Sequence, residues 1–410
     1  MASTRHWRLP IGHTHHLAAT AGPLSFVGGA ADLDDAGAIR HPGDLKAQIV
    51  GTLANLAQAL AAEGCTLDDV VKLKAYWTGG PADSDWPVIA GLSRGFRRNP
   101  LPVVSAVPVP LQPFAGQALQ VQAIAQRGWR RSVDVRAVAR PIPRRYRKLF
   151  GAHGATAGLR AGEFIAVANR TAADGEDRIA KPRDAVAQSH AIMTMHEETL
   201  AALGASTQDA IKMEGYYFGT TRGHWAPLAQ ARASHFREPG PVATVVPCHR
   251  LSPAGALTKI EVMAMRERWN GFDKYIPRGD HWPKRVWDWP IPLPYRQAIK
   301  LRDMIWLGGQ VPSEPDSNAG QRVLKGELVP QTRFTMSLIE DLLRGFDRRP
   351  SDIRMLVCYF TSDGSPQQTE TFLRTIWECV GGPLPPTTCV PQPHMHDKDT
   401  MVEIWGVAQA

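Results

Sequence analysis

Cysteine is scarce here: five residues in 410 (Cys65, Cys248, Cys358, Cys379, Cys389), an odd number with no Cys-x-x-Cys spacing. That pattern argues against a disulfide framework and for free thiols in a reducing compartment. Long apolar runs are also missing. None approaches the ~20 residues needed to cross a bilayer as a helix, so no membrane partner is expected. The opening segment Met1–Arg8 is polar and has no apolar core of the kind a secretory leader carries. A cytoplasmic protein is the expectation. Acidic residues are nearly absent from one stretch, Arg127 to Lys148, which is crowded with arginine and offset only by Asp134. This stretch is a local source of the net charge of +8. Such a patch can hold phosphate or RNA without sequence preference, yet it lacks the interleaved aromatics of a base-stacking platform. It reads better as a linker docked on its own chain, and nucleic acid is not an expected partner. The positive field favours small anionic substrates.

What is present describes an ordinary globular chain, 43% hydrophobic and 21% charged, with a length that suits two to four domains. A repeat organises it. Three segments align without gaps, starting at Gln48, Gln188 and Gln331. In each an Asp follows at the same distance (Asp69, Asp209, Asp352), and then a Tyr (Tyr76, Tyr216, Tyr359). Chance does not keep that register three times.

Each copy is readable physically. In the first, Leu45, Ile49, Leu53, Leu56 and Leu60 recur at three- and four-residue steps and predict one apolar helix face. Gly64 stops that helix. Val71, Leu73, Ala75 and Trp77 then alternate with Lys72, Lys74 and Tyr76, a strand with two unlike faces. A second helix from Trp86 to about Arg97, a Pro-rich turn (Asn99–Pro102) and a last strand from Leu119 to Ala125 complete the copy. An apolar strand with small residues opens each: Leu24–Ala30, Glu163–Ala168 and Met304–Gln310. The unit is thus roughly β-β-α-β-α-β, with helices on one side of a sheet. Three such sheets closing about a threefold axis would bury the faces their helices leave bare. The expected fold is α+β: three tandem units at 1–126, 149–265 and 291–410, forming a pseudo-trimer within one chain, with a central β-barrel and outer helices. The basic linker 127–148 and a Trp- and Pro-rich linker 266–290 join them. In the second linker Trp269, Trp282, Trp287 and Trp289 read as packing anchors.

The third copy carries Pro294-Tyr-Arg-Gln-Ala298, Leu307-Gly-Gly-Gln-Val-Pro312 and the ending Val402-Glu-Ile-Trp-Gly-Val-Ala408. These segments resemble the RidA (YjgF-type) family. Trp77-Thr78, Asn99-Pro100 and Gln122–Ala125 of the first copy fit the same template, and the second copy keeps only the helix–strand register. The resemblance implies a chorismate-mutase-like unit, a trimeric arrangement with clefts between units, and hydrolysis of enamine or imine intermediates to 2-oxo acids without a cofactor. One chain would here replace the homotrimer. It also implies an arginine that holds the substrate carboxylate and a glutamate on the last strand that positions water.

The departures are informative. The arginine position reads Val103, Val242 and Thr387; the glutamate position reads Gln120, Lys259 and Glu403; a position often Cys reads Ser105, Thr244 and Cys389. Only the third copy keeps Tyr295, the Gly308-Gly309-Gln310 turn, Cys389 and Glu403. One working cleft is therefore expected, walled by the third copy. Glu403 would activate water or donate a proton, against an ion-pair alternative. Cys389 is a candidate for the cleft wall or for catalysis, and otherwise is small core volume. Tyr295 would offer its hydroxyl or cap an interface. Gly308 and Gly309 would present N–H groups to an oxyanion or form a β-bulge. Thr387 would replace the missing arginine with a neutral hydrogen bond, and Arg250, Arg296 and Arg302 are the candidate cations. Histidines cluster at His13–His16 and at His394-Met-His-Asp397 without metal-ligand spacing, so no metal is expected. The loop position of the second cluster favours solvent-facing or supporting roles. The expected activity is acid–base chemistry on a small anionic or nitrogen-containing metabolite, enamine or imine hydrolysis or deamination. Chorismatase-like or ring-opening chemistry, or non-catalytic ligand or RNA binding, are the alternatives.

Overall fold

A computed structural model of the chain describes residues 6–8, 14–80, 83–219, 221–266, 291–314 and 322–410. The four linker tryptophans and His13 lie outside them. A short hairpin, β1 (His6–Arg8) with β2 (Thr14–His16), precedes three α+β units. The first runs β3 (Ala18–Ala21), β4 (Leu24–Ala30), α1 (Leu45–Ala62), β5 (Val70–Trp77), α2 (Asp85–Ser93), β6 (Val103–Pro108) and β7 (Leu119–Gln126). The second comprises β8 (Val135–Ala139), α3 (Arg147–Phe150), β9 (Thr156–Ala161), β10 (Phe164–Arg170), α4 (Ala185–Ala202), β11 (Ala210–Phe218), α5 (Arg222–Ala233), β12 (Val242–Cys248) and β13 (Thr258–Met265). The third comprises β14 (Ala298–Leu301), β15 (Met304–Leu307), α6 (Leu328–Arg344), β16 (Ile353–Thr361), α7 (Pro366–Val380), β17 (Thr387–Gln392) and β18 (Val402–Gln409).

The sheet orders repeat: β3-β4-β7-β5-β6, β8-β9-β10-β13-β11-β12 and β14-β15-β18-β16-β17. In each, the strand after the second helix lies parallel to the one between the helices, as β6 does to β5. The sequence reading missed this strand and saw only the Pro-rich turn before it, because a run such as Val103–Pro108 is too short to show a period. The basic stretch is partly ordered into the second unit, where β8 pairs with β9. Its arginines engage the chain itself. Arg130 donates to the carbonyls of Asp68 and Asn99 at 2.9 and 3.1 Å, and Arg145 pairs with Asp177 at 2.7 Å.

The residues that mark the repeat explain the fold. Gln48, Gln188 and Gln331 each sit buried in the first turn of a helix and use both ends of the amide. Each donates twice to loop carbonyls and accepts from a backbone N–H just before the last strand, as Gln48 does from Ala118 at 2.7 Å. A buried amide satisfied three ways locks helix to sheet. Asp69, Asp209 and Asp352 cap the short turn before the middle strand, accepting from the N–H of Thr66, Ser206 and Arg349 at 2.8 to 3.0 Å. Tyr76, Tyr216 and Tyr359 meet one another, with hydroxyl separations of 3.2, 2.8 and 3.0 Å. Three equivalent side chains meet at one point only if their sheets surround a common axis.

Each sheet packs its outer face on its own helices and turns the other toward a shared interior. A bulge at the start of each middle strand moves Val71 and Ile211 to that interior, so Val71 does not lie with Leu73 and Ala75 as the simple alternation predicted. The less apolar face finds its partner across the axis. Lys72 and Lys74 of the first unit, both buried, bind Glu261 and Glu214 of the second. Burial opposes the charge on Lys74, but its two glutamates outweigh that cost and raise its pKa. The third unit presents Met355, Val357, Trp405 and Val407 there instead.

Candidate functional site

Three seams join the units, and they are chemically unequal. Between third and first, Gly29 N–H donates to Thr388 Oγ1 at 3.1 Å and the Gln120 amide donates to the Cys389 carbonyl. Between first and second, Asn169 N–H donates to Ser105 Oγ at 2.9 Å, and Lys259 binds Asp85 and the Ala106 carbonyl. Between second and third, Gly309 N–H donates to the Ala243 carbonyl at 2.8 Å and Arg296 N–H to Pro241 at 3.1 Å.

Glu403 belongs to this last seam. It sits on β18, 4% exposed, on the interior face of the strand, where the alternation that buries Ile404 behind it forces the carboxylate forward. His396 Nε2 lies 2.6 Å from Glu403 Oε2, and His396 Nδ1 lies 3.1 Å from the hydroxyl of Tyr217 on β11. The imidazole stacks on the Tyr217 ring with 17° between planes. A carboxylate, an imidazole and a phenol thus form one hydrogen-bonded chain across two units. The other carboxylate oxygen faces Gly309 and Thr244 Oγ1, where any Cβ at position 309 would collide with it. A side chain there would displace the Glu403 carboxylate; the constraint on position 309 is proximity, not backbone angle.

Two buried cations accompany the chain. Lys212 Nζ lies 2.5 Å from Thr244 Oγ1, 3.4 Å from the Leu307 carbonyl and 4.0 Å from the centre of the Trp405 ring. Burial is the main force that lowers its pKa to about 7, against the pull of Glu214 and Glu403. Such a group titrates where acid–base catalysts work. Arg232 of α5 is wholly buried and interacts with the hydroxyl of Tyr295, while burial raises the Tyr295 phenol to about 12. Burial likewise pushes Tyr217 up, with Glu403 adding to it. The sequence reading missed Lys212, Tyr217, Arg232 and the link from His396 to Glu403. The middle strand of the second copy carried a signal, since a charged residue opposite a helix-facing one has to be buried between units.

The expected residues separate. Tyr295 and Gln310 fall in the Glu403 seam. Gln310 is buried, its side chain donates to Gln297 Oε1 at 2.8 Å, and its Oε1 has no hydrogen-bond partner among the described residues. Gly308 and Gly309 also lie there, but their N–H groups are spent on the carbonyls of Gln297 and Ala243, so they are not oxyanion donors. They form the β-bulge: Trp306 faces Val407, yet Gln310 faces Ile404, one residue more on β15's side. Cys389 and Thr387 are in the third–first seam, apart from Glu403, because β17 and β18 flank β16 on opposite sides. The Cys389 thiol is pushed up by burial, and Thr387 donates to the Pro385 carbonyl at 2.7 Å. The candidate cations are paired with other groups. Arg296 lies 3.6 Å from Glu238, Arg302 pairs with Glu163 at 2.9 Å, and Arg250 binds the carbonyls of Gly80 and Asp83 in the first–second seam. His394 packs its ring edge-on against His249 at 4.3 Å.

Comparison with known proteins places this architecture. The family described as Endoribonuclease L-PSP matches residues 8–127 and 291–410, the first and third units and more than half of the chain. A RutC family protein of Sulfurisphaera tokodaii is 33% identical over 67 residues, which are 16% of this chain and 51% of that protein. The chain therefore spans about half the length of the curated relative it matches. Among solved structures, a chorismatase superposes on 83% of this chain and 93% of its own, with a TM-score of 0.50 and 14% identity, a likeness of fold. TdcF of E. coli, solved with bound serine, covers 31% of this chain and 94% of its own at 19% identity and a TM-score of 0.27. The chain belongs to the Endoribonuclease L-PSP family, to which it is joined through tandem, diverged RidA-like copies.

Proposed function

We propose that this protein is an enzyme that hydrolyses a small unsaturated or nitrogen-bearing metabolite by acid–base chemistry at the seam of the second and third units. The single observation that carries the reading is the Glu403–His396–Tyr217 chain, at 2.6 and 3.1 Å, built from two units around a buried carboxylate. In this reading Glu403 takes a proton from water as the oxygen adds to the carbon of a C=N bond. His396 holds the carboxylate in place and shares the proton it gains. Lys212, titrating near neutrality, gives a proton to the nitrogen of the C=NH group. The hydroxyl proton of the resulting carbinolamine passes to the same nitrogen as the C–N bond breaks, so that ammonia leaves, the carbon becomes a carbonyl, and the proton held by Glu403 reloads Lys212. Water is consumed and no electron changes hands. The side-chain Oε1 of Gln310 accepts a hydrogen bond from the substrate nitrogen.

A second reading has its own support. The fold likeness to a chorismatase extends over 83% of the chain, which makes chorismate a reasonable substrate. There the same carboxylate chain would deliver the proton that an enol ether needs before water adds. Both readings predict that Glu403→Gln folds normally and loses at least roughly 100-fold in turnover. The test offers the full chain imino acids generated in solution by an amino acid oxidase, with ammonia release measured, and separately chorismate, with its ultraviolet absorbance followed. Ammonia release that depends on Glu403 supports the first reading, and chorismate loss that depends on Glu403 the second. Turnover equal in parent and Glu403→Gln removes both.

A further inference from the structure

The first–second seam lacks the carboxylate chain, yet it is not packed shut. A recess opens there between α2, the start of the second unit and the loop after β10, lined by Asp85, Trp86, Arg140, Arg170, Asp177 and Lys259. Its carboxylates are matched: Asp85 with Lys259, Asp177 with Arg145 at 2.7 Å, and Asp174 at the rim with Arg178 at 3.0 Å. Two cations are left over. Among the described residues no carboxylate contacts Arg140 or Arg170. Arg140 lies over the Trp86 ring, 4.5 Å from its centre, and its Nη1 is buried without a hydrogen-bond partner among the described residues. Burial first, then the neighbouring Arg170, lowers the Arg140 pKa to about 10. Two guanidinium groups thus share a recess although they repel.

The residue that precedes Arg170 in the chain is also buried. Asn169 is 1% exposed, and among the described residues neither end of its amide has a partner. By repeat position it stands where Gly29 and Gly309 stand. Buried amides and guanidinium nitrogens are almost always hydrogen-bonded, and guanidinium groups take carboxylates through paired N–H···O contacts.

We propose that this recess is a second ligand site, which takes a small dicarboxylate between Arg140 and Arg170, with Trp86 as its wall. Two charges on the ligand answer two unmatched cations, and a carboxylate is planar, like the fork it meets. The site stands apart from the Glu403 seam and does not depend on the chemistry there.

The test is thermal unfolding of the full chain with malonate, acetate or inorganic phosphate at matched ionic strength. Malonate is expected to raise the melting temperature along a saturable curve, with half-effect at a concentration at least roughly tenfold below that of acetate. Arg140→Gln with Arg170→Gln should abolish the shift, while Arg98→Gln, which removes one charge at a surface ion pair with Asp68, should keep it. Should the double variant fail to fold, Arg140→Lys retains the charge without the fork and should weaken malonate by roughly tenfold. A response that does not saturate overturns the proposal, as does one equally reduced in Arg98→Gln, or phosphate acting at the same concentrations as malonate. An Arg140→Lys variant with parental malonate affinity overturns it as well.

Discussion

Lys74→Met is the sharpest test of how the three units hold together. The ammonium is fully buried and contacts Glu214 at 2.5 Å as well as Glu261. Methionine fills most of the lysine's volume, so the loss is electrical. It leaves two carboxylates in the interior with Lys72, which bonds to Glu261 at 3.2 Å, and with Lys212 nearby, which is bonded to neither. Removing one partner from a buried ionic group costs about 3–5 kcal/mol. Unfolding entropy of about 2.1 cal/mol/K per residue, summed over a chain of this length, gives about 0.86 kcal/mol per degree if the chain melts as one unit. The expected drop is therefore about 4–6 °C, readable by calorimetry at pH 7. Adding Glu214→Gln to Lys74→Met removes the carboxylate that lost its partner and should restore most of the drop, since a neutral replacement of a whole pair is often close to cost-free. A single variant melting within about 1 °C of the parent would refute the reasoning, and so would a double variant no better than the single.

Gly309→Ala should cost most of the turnover on any confirmed substrate, because the methyl group pushes Glu403 aside, whereas Gly382→Ala, with open space around it, should leave kcat unchanged. Cys389→Ala should keep kcat and KM within about twofold and lose only about 1–2 kcal/mol of stability, since the thiol lies in another seam and burial keeps it protonated. A large fall in kcat would restore it to the mechanism. Lys212 gives a pH signature. Its folded value of about 7 lies below its ordinary 10.5, so below pH 7 both states hold the proton and the cost of burying it is paid in full. Between the two values the unfolded chain binds more protons, and stability rises with pH. Lys212→Met should flatten that rise in denaturant titrations at pH 7 to 10, and a slope identical to the parent's would remove Lys212 from the account.

Much of the fold was legible because its determinants are local and thrice repeated. The Gln, Asp and Tyr registers at 48, 69 and 76 fixed helix, turn and strand, and each proved to have a structural reason. The strand after the Pro-rich turn escaped, since six buried residues show no alternation. The site was half legible. Glu403 stood out as a charge in an apolar strand, but its partners come from a loop and from another unit, at sequence separations that no local pattern records. Cys389 and Glu403 were grouped because they belong to one copy. The seams instead pair the strand after the second helix of one unit with the bulge region of the next, and so divide the copy between two clefts.

That division explains why three diverged copies in one chain differ from three identical chains. In a symmetric trimer a lysine at position 74 would appear three times around the axis, and three buried ammonium groups would face one another with nothing to balance them. Here the equivalent positions read Lys74, Glu214 and Val357, so the first unit's charge is met by the second and the third stays apolar. The same inequality runs through the clefts, where one position holds Gln120, Lys259 and Glu403. Each of these binds a different neighbour: the Cys389 carbonyl, Asp85 and His396. Exchanging two units would reverse their order around the axis and strip Glu403 of the second unit's Tyr217 and Lys212. The order of the units along the chain is thus part of the structure's specificity, because covalent linkage fixes which unit faces which.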